Sequence, residues 1–292
     1  IGFNQFNYFN TSRSFFGDEA PSYLKQNENY INFNVGFPAT NKAKWEVGIT
    51  VAGLADDYYQ TNTYTREDQY DENSFDMIKP YISYELNTQK NQYYSNQGVF
   101  FSTKLYLING KERNKPGTTG IYHTEESKSH NWVGLRMKYI NFVPYSKKIT
   151  LGYYSDLCLS SQELFATYTA SKFRAPQFIP IPEIGTQFLP TFRDYNFISI
   201  GLKGIYNLTS KVDFRIEGYL YQAIQNIKKS ETEKPKFSDY FESQYFILAA
   251  IAVYNTRFGP LSLSLNYQQE SQPPLSVTLN FGYIIFNRRA ND

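Results

Sequence analysis

The side chains best placed to act in this 292-residue chain are an arginine and a small acidic cluster beyond it. Arg193 ends the longest polar stretch, about 161 to 193, which carries prolines at 176, 180, 182 and 190. Two alternating segments follow, 196 to 208 and 211 to 226, and the second puts Asp213, Arg215, Glu217 and Tyr221 on one face. An arginine offers a planar fork of donors that can hold a carboxylate through two parallel bonds. Pairing of Arg193 with Glu217, with Asp213 beside it, would fasten the loop in a partly shielded space. A solvated arginine at a strand start is the plainer alternative. Either way the role is structural.

Arrangements for catalysis are missing from the sequence. It holds no Gly-x-Ser-x-Gly, so it has no nucleophile elbow, and no Asp-Gly pair to supply the aspartate of an acyl-hydrolase dyad. His123 and His130 stand seven residues apart in or beside a loop, and neither His-Glu-x-x-His nor Cys-x-x-Cys occurs. Glu125-Glu126 and Asp56-Asp57 lie in charged stretches where solvation is the ordinary explanation. The single Cys158 rules out an internal disulfide and reads as a small strand residue. No catalytic residue, metal ligand set or cofactor is expected in this chain.

Composition narrows the class. Aromatics make up 18% of the residues, with 27 Tyr and 24 Phe, yet mean hydropathy is −0.52. A water-soluble core of this size would lean on Leu, Ile, Val and Ala. A lipid-facing wall with aromatic girdles around a wet interior needs the mixture seen here. A net charge of +2, with no basic run interleaved with aromatics, sets nucleic acid aside as a partner. No apolar run approaches the roughly 18 residues of a membrane helix, and 245 to 254 is the longest candidate.

The elements that must position Arg193 are strands. Residues 30 to 37 set Ile31, Phe33, Val35 and Phe37 against Asn32, Asn34 and Gly36, and 44 to 55 answer with Trp45, Val47, Ile49 and Val51. The alternation recurs over 75 to 86, 97 to 110, 130 to 143, 148 to 160, 196 to 208, 211 to 226, and from 261 and 275 onward, while 244 to 256 reads as a strand apolar on both faces. With the opening aromatic stretch, 1 to 8, the count is twelve. Connections alternate between long and polar, and short. A soluble sandwich has no reason to sort its loops this way, whereas a membrane barrel has short turns on one side and long loops on the other. The strands exceed the 9 to 11 residues or so of a tilted span, which predicts a wall reaching past the bilayer on the loop side. Lys104, Arg136, Lys138, Asp156, Lys203, Asp213, Arg215 and Glu217 then face the lumen, either as a conduction path or as a salt-bridge network around an inserted loop.

Three stretches carry a family resemblance. They are Phe188-Leu-Pro-Thr-Phe-Arg193-Asp-Tyr, Phe214-Arg-Ile-Glu217-Gly218-Tyr219, and Phe258-Gly-Pro-Leu-Ser-Leu-Ser-Leu-Asn-Tyr267 with Phe281-Gly-Tyr-Ile-Ile-Phe-Asn-Arg-Arg289. Together they resemble the C-terminal barrel of bacterial patatin-like phospholipases of the outer membrane, within the superfamily of assembly factors and two-partner secretion transporters. The resemblance implies a sixteen-stranded antiparallel transmembrane β-barrel of which twelve strands are visible here. Residues 1 to 292 would form the barrel domain, preceded by four strands and a catalytic Ser/Asp domain. It also implies that the loop at about 161 to 193 enters the lumen and that Arg193 meets an acid on the next strand but one. Asp194 stands where the family motif has Gly. Asn280, Gly282 and Phe286 resemble, loosely, the terminal signal read by the barrel-assembly machinery.

The implied location is the bacterial outer membrane. The implied partners are its lipid and lipopolysaccharide, and the assembly machinery during biogenesis; a homo-oligomer is left open. A protein-insertion or secretion transporter, a simple twelve-strand channel and, more distantly, a soluble β-sandwich are the competing readings.

Overall fold

A computed structural model describes residues 1 to 8, 23 to 61, 64 to 90, 93 to 120, 123 to 231, 234 to 271, 273 to 282 and 289 to 290. The strands are β1 (Gly2–Tyr8), β2 (Leu24–Thr40), β3 (Ala43–Tyr58), β4 (Asp71–Asn87), β5 (Gly98–Lys115), β6 (Glu126–Pro144), β7 (Ile149–Ser160), β8 (Phe197–Asn207), β9 (Val212–Ala223), β10 (Gln225–Lys229), β11 (Pro235–Tyr240), β12 (Gln244–Thr256), β13 (Gly259–Gln268) and β14 (Leu275–Phe281). Twelve of them form one antiparallel sheet in the order β1 to β9, then β12, β13 and β14; β10 and β11, between β9 and β12 in sequence, pair separately. The fold is all-β as the alternation predicts. Among the described residues, helix is limited to α1 (Tyr168–Arg174) and two short 3-10 turns, all between β7 and β8.

The sheet is inverted relative to a soluble protein. Phe33, Val35, Val47, Val51, Leu105, Leu107, Ile200, Leu202, Ile216, Leu248, Leu265 and Val277 stand exposed on its outer face. Their strand neighbours Thr50, Asp156, Ser199, Asp213, Arg215, Glu217, Ser262, Ser264 and Asn266 are buried on the inner one. Alternation with period two produces this sorting on β9, where Phe214 and Ile216 point out and Asp213, Arg215 and Glu217 point in. An aromatic belt, including Trp45 against Tyr84 at 4.9 Å between ring centres, Tyr139, Tyr153, Tyr206 and Tyr254, marks the short-turn end of the apolar band.

The sheet curves around the 161 to 196 loop, because strands far apart in sheet order touch the same loop. Phe188 packs on Tyr8 of β1 at 5.8 Å, while Phe192 packs on Tyr245 of β12 at 6.0 Å. Arg289 donates to the Tyr8 hydroxyl at 3.0 Å, and the Ala290 N–H donates to Glu28 of β2 at 3.2 Å. The end of the described chain therefore lies against the opposite flank of the sheet. Among the described residues no ladder joins β14 to β1. Inward tyrosines lie flat on the wall over glycines of the facing strand: Tyr106 over Gly134, and Tyr219 over Gly201. A Cβ at either glycine would occupy the ring position.

Several boundaries differ from the sequence reading, for one reason. β2, β4, β5 and β6 run 17 to 19 residues and absorb stretches that look like charged loop. Beyond the apolar band their outer face turns polar, with Asn27 and Asn29 on β2, Ser74 and Asp76 on β4, and Lys111 and Arg113 on β5. Their inner face there mixes polar residues such as Gln26, Glu28, Asn73 and Glu112 with Leu24, Phe75 and Trp132, so the alternation fades although the ladder continues. Asp56 and Asp57 are therefore strand residues, not solvated loop; Asp56 is fully buried. His130 likewise lies inside β6 and is buried. The segment read as one strand over 211 to 226 breaks at Ile224, and the charged stretch after it forms the β10–β11 hairpin. Of the terminal signal, Asn280 lies in β14 opposite Ser262 and Gly282 adopts φ +86°, while Phe286 lies outside the described residues.

An outward-facing position in the middle of the band gives a direct check. Leu265→Lys should cost about 2–4 kcal/mol in urea unfolding from lipid vesicles. The inward neighbour change Ser264→Ala should cost under about 1 kcal/mol. Equal costs at the two positions would contradict the inversion.

Candidate functional site: the loop inside the wall

The loop from 161 to 196 is the most heavily anchored segment of the chain, and its two halves dock on different parts of the wall. The first half carries α1. Thr167 caps it, its hydroxyl accepting from the Ala170 N–H at 3.1 Å and lying 2.5 Å from the Tyr58 hydroxyl of β3. The Ala166 N–H donates to Glu112 of β5 at 3.0 Å, and Glu112 also holds the buried His130 ring at 2.8 Å and the Asn73 amide at 2.7 Å. Arg174 at the helix end donates to the carboxylate of Asp56. Phe165 stacks on His130 at 4.2 Å and meets Phe75 edge-on at 5.1 Å, which closes an apolar patch with Trp132 and Phe173.

The second half is proline-rich, so it presents carbonyls to a wall supplied with donors. Arg136 pairs with Asp156 at 2.8 Å and donates to the Gln177 carbonyl at 3.1 Å. Lys138 donates to the Ile179 carbonyl at 3.4 Å, and the Tyr219 hydroxyl, whose proton goes to Glu217, lies 3.4 Å from the Pro180 carbonyl. Phe178, Ile181, Ile184, Leu189 and Phe192 pack against Ile247, Ala249, Ile251 and Val253 of β12 and against Tyr221. This explains a strand that is apolar on both faces: one face meets the exterior, the other receives the loop.

Arg193 and Glu217 are both buried on the inner side, but the structure does not bring them together as an ion pair. Arg193 donates to the Gln177 side-chain oxygen at 2.5 Å, with its guanidinium 5.0 Å from the centre of the Phe188 ring. Glu217 instead pairs with Lys203 at 3.2 Å and Arg215 at 3.9 Å, and accepts from the Tyr219 hydroxyl. Asp213 pairs with Arg215 at 3.0 Å. The physical reason is proximity within the wall: Lys203 is directly opposite Glu217 in the β8–β9 ladder. Together with Arg136–Asp156, these pairs make the lumen charges a mixed-sign network. Lys104, for its part, sits over the Tyr81 ring at 4.2 Å.

The residue that sequence reasoning passed over is Asp194. Its carboxylate is fully buried and takes Lys172 of α1 at 2.9 Å, the Tyr221 hydroxyl at 3.1 Å, the Asn226 amide at 3.2 Å and the Ile227 N–H at 2.7 Å. Lys172 also donates to the Arg193 carbonyl at 2.8 Å. One carboxylate thus joins the helix, the loop return, β9 and the β10–β11 hairpin. Burial pushes the Asp194 carboxyl above the usual range and the Lys172 ammonium below its own, each opposed by the other's charge. Because both charges are removed from water, the pair specifies the loop's position more than it adds stability.

A second plug was also missed. The connection from 88 to 97 reads as a turn, but its residues 93 to 97 fold against the inner side of the wall. Arg215 donates to the Tyr94 carbonyl and, at 3.0 Å, to the Ser95 carbonyl; Tyr94 and Ser262 hydroxyls are 3.0 Å apart; Asn96 donates to Asn207 at 2.8 Å. Tyr94 takes φ +53° and Gly98 φ +89°, the latter at a place where a Cβ would strike the Thr88 carbonyl. Between this turn and the loop lies a chamber of about 240 Å³ lined by Lys138, Lys203, Arg215 and Glu217. Among the described residues no group of His, Cys, Asp or Glu is placed to hold a metal ion.

No protein-family model matches the chain, and no curated protein does. Among solved structures, the chain overlaps the β domain of the Bordetella autotransporter BrkA with a TM-score of 0.40 at 10% identity, over 95% of this chain and 91% of that one. An overlap of that grade leaves the wall and its loop to speak for themselves.

Lys172→Met strands a buried carboxylate and should destabilise the protein by about 3–5 kcal/mol, and Lys172→Met with Asp194→Asn, which removes the charge but keeps a polar partner for Tyr221, Asn226 and Ile227, should recover part of that. Protease cleavage within 161 to 196 should rise in the single variant and in Arg193→Ala, and return toward the wild-type rate in the double. An equal loss in single and double variants would remove the pair from its joining role.

Proposed function

We propose that this chain is the membrane-embedded barrel of a bacterial outer-membrane protein, which anchors a passenger domain and helps carry it, its lumen closed by its own 161 to 196 loop. The observation that carries this reading is the inverted sheet: a continuous apolar outer face around a paired, polar inner one. Inside a bilayer every backbone N–H and C=O must find a partner, and a wall of antiparallel ladders supplies them. The loop and residues 93 to 97 fill the lumen from its two ends, which fits an anchor better than an open channel.

The finer reading is that the passenger is a patatin-like acyl hydrolase lying ahead of Ile1. It rests on the resemblance of Phe188 to Tyr195, Phe214 to Tyr219 and Phe258 to Arg289. In keeping with it, the loop ending at Arg193 is the one that enters the lumen. In this reading Arg193 and the Asp213–Arg215–Glu217 group serve as fastenings. Asn280, Gly282 and Phe286 serve recognition during assembly, and the present chain contributes no catalytic residue.

Outer-membrane fractions of cells making the full gene product, treated with a fluorophosphonate probe for activated serines, test both levels. The expected result is one labelled band that also shows heat-modifiable migration. A heat-modifiable band without label would favour the protein-insertion or secretion reading; a labelled band in the soluble fraction would overturn the anchor.

A further inference from the structure

The outer surface of β4, β5 and β6 carries a feature that the anchoring role does not use. Pro80 on β4 cannot donate to the ladder, and the pairing with β5 lapses between Ile78–Asn109 and Tyr81–Tyr106. At this break the wall opens into an outward groove of about 510 Å³, lined by Ile78, Pro80, Leu107 and Val133 and floored by Ile108 and Trp132. Ile78, Leu107 and Val133 are about half exposed, so the groove belongs to the apolar band.

Directly above it the chemistry changes within one strand. Outward positions on β5 read Leu105, Leu107, Asn109, then Lys111, Arg113 and Lys115. Asn109 donates to Asn131 at 2.5 Å across the rim. On the β6 side the column faces Ser129 and Ser127, opposite Lys111 and Arg113. On the β4 side stand Asp76, 3.6 Å from Arg113, and Glu72, 3.2 Å from Lys115; all four side chains are more than half exposed. Exposed pairs of this kind are weak and exchange readily for a better anion.

We propose that this face binds a phosphorylated, multiply acylated glycolipid of the outer leaflet, an acyl chain lying in the groove at Pro80 and phosphates on Lys111, Arg113 and Lys115. The inference rests on the membrane-barrel reading, which places the long-loop side outward. Three cations at every second residue span about 13 Å, more than one phosphate needs and suited to a headgroup carrying two separated ones. The serine column beside them supplies hydroxyls to a sugar.

Native mass spectrometry of the full chain released from detergent, titrated with bisphosphorylated lipid A and separately with phosphatidylglycerol, tests this. Wild type should retain lipid A preferentially. Lys111→Gln/Arg113→Gln/Lys115→Gln should lose at least tenfold of the bound fraction, and Leu107→Trp, which fills the groove without altering charge, should lose a comparable share. Heat-modifiable migration should be intact in both. Undiminished lipid A retention in these variants, or equal retention of phosphatidylglycerol by wild type, overturns the site. Absence of heat-modifiable migration in the wild type overturns the barrel reading, and the lipid site with it.

Discussion

Twelve strands with their polar side chains turned inward enclose more space than those side chains fill, and that shortfall governs the rest of the structure. A soluble sheet buries its apolar face against a second layer. Here the apolar face is outside, where lipid can cover it, and the interior must be satisfied by hydrogen bonds and ion pairs within the wall or by chain brought in to meet it. The 161 to 196 loop and residues 93 to 97 are that chain. Their carbonyls take the wall's surplus donors Arg136, Lys138 and Arg215, and their aromatic and aliphatic residues cover the parts of the inner face, chiefly on β12, that are not polar.

Holding such a loop in one position requires specificity more than strength. Buried ion pairs are well suited to this, since a displaced loop would leave charges unmatched. Asp194 shows the principle most clearly, because four elements converge on one carboxylate. Asp56 with Arg174 and Glu112 with the Ala166 N–H repeat it at the helix.

How much of this was legible follows from the same physics. Alternation is readable wherever one face meets lipid and the other does not, so the strands through the apolar band and the inward placement of Asp213, Arg215 and Glu217 could be read from the sequence. Above the band the outer face is polar as well and the inner one is mixed, and there Asp56, Asp57 and His130 look like loop although they sit in continuous strands. The apolar inner face of β12 was visible as a stretch without alternation, a sign that something packs inside. Its occupant was not. Choosing Glu217 as the partner of Arg193 overlooked Lys203, which the ladder places opposite that acid. Asp194 read as a departure from a glycine motif, when a buried acid beside a buried lysine is what fixes the loop. α1 shows no amphipathic stripe because it is enclosed on nearly every side.

The central claim is that the outer face of the wall lies against acyl chains while the inner face does not. Trp45 is exposed on the outer face and Phe192 is fully buried inside it. Fluorescence in vesicles of lipids brominated along the acyl chain compares Trp45, alone in Trp132→Phe, with a tryptophan at the inner position, alone in Trp45→Phe/Trp132→Phe/Phe192→Trp. The account predicts strong quenching at position 45 and little at position 192. Equal quenching at both, or quenching at position 192 alone, would contradict it.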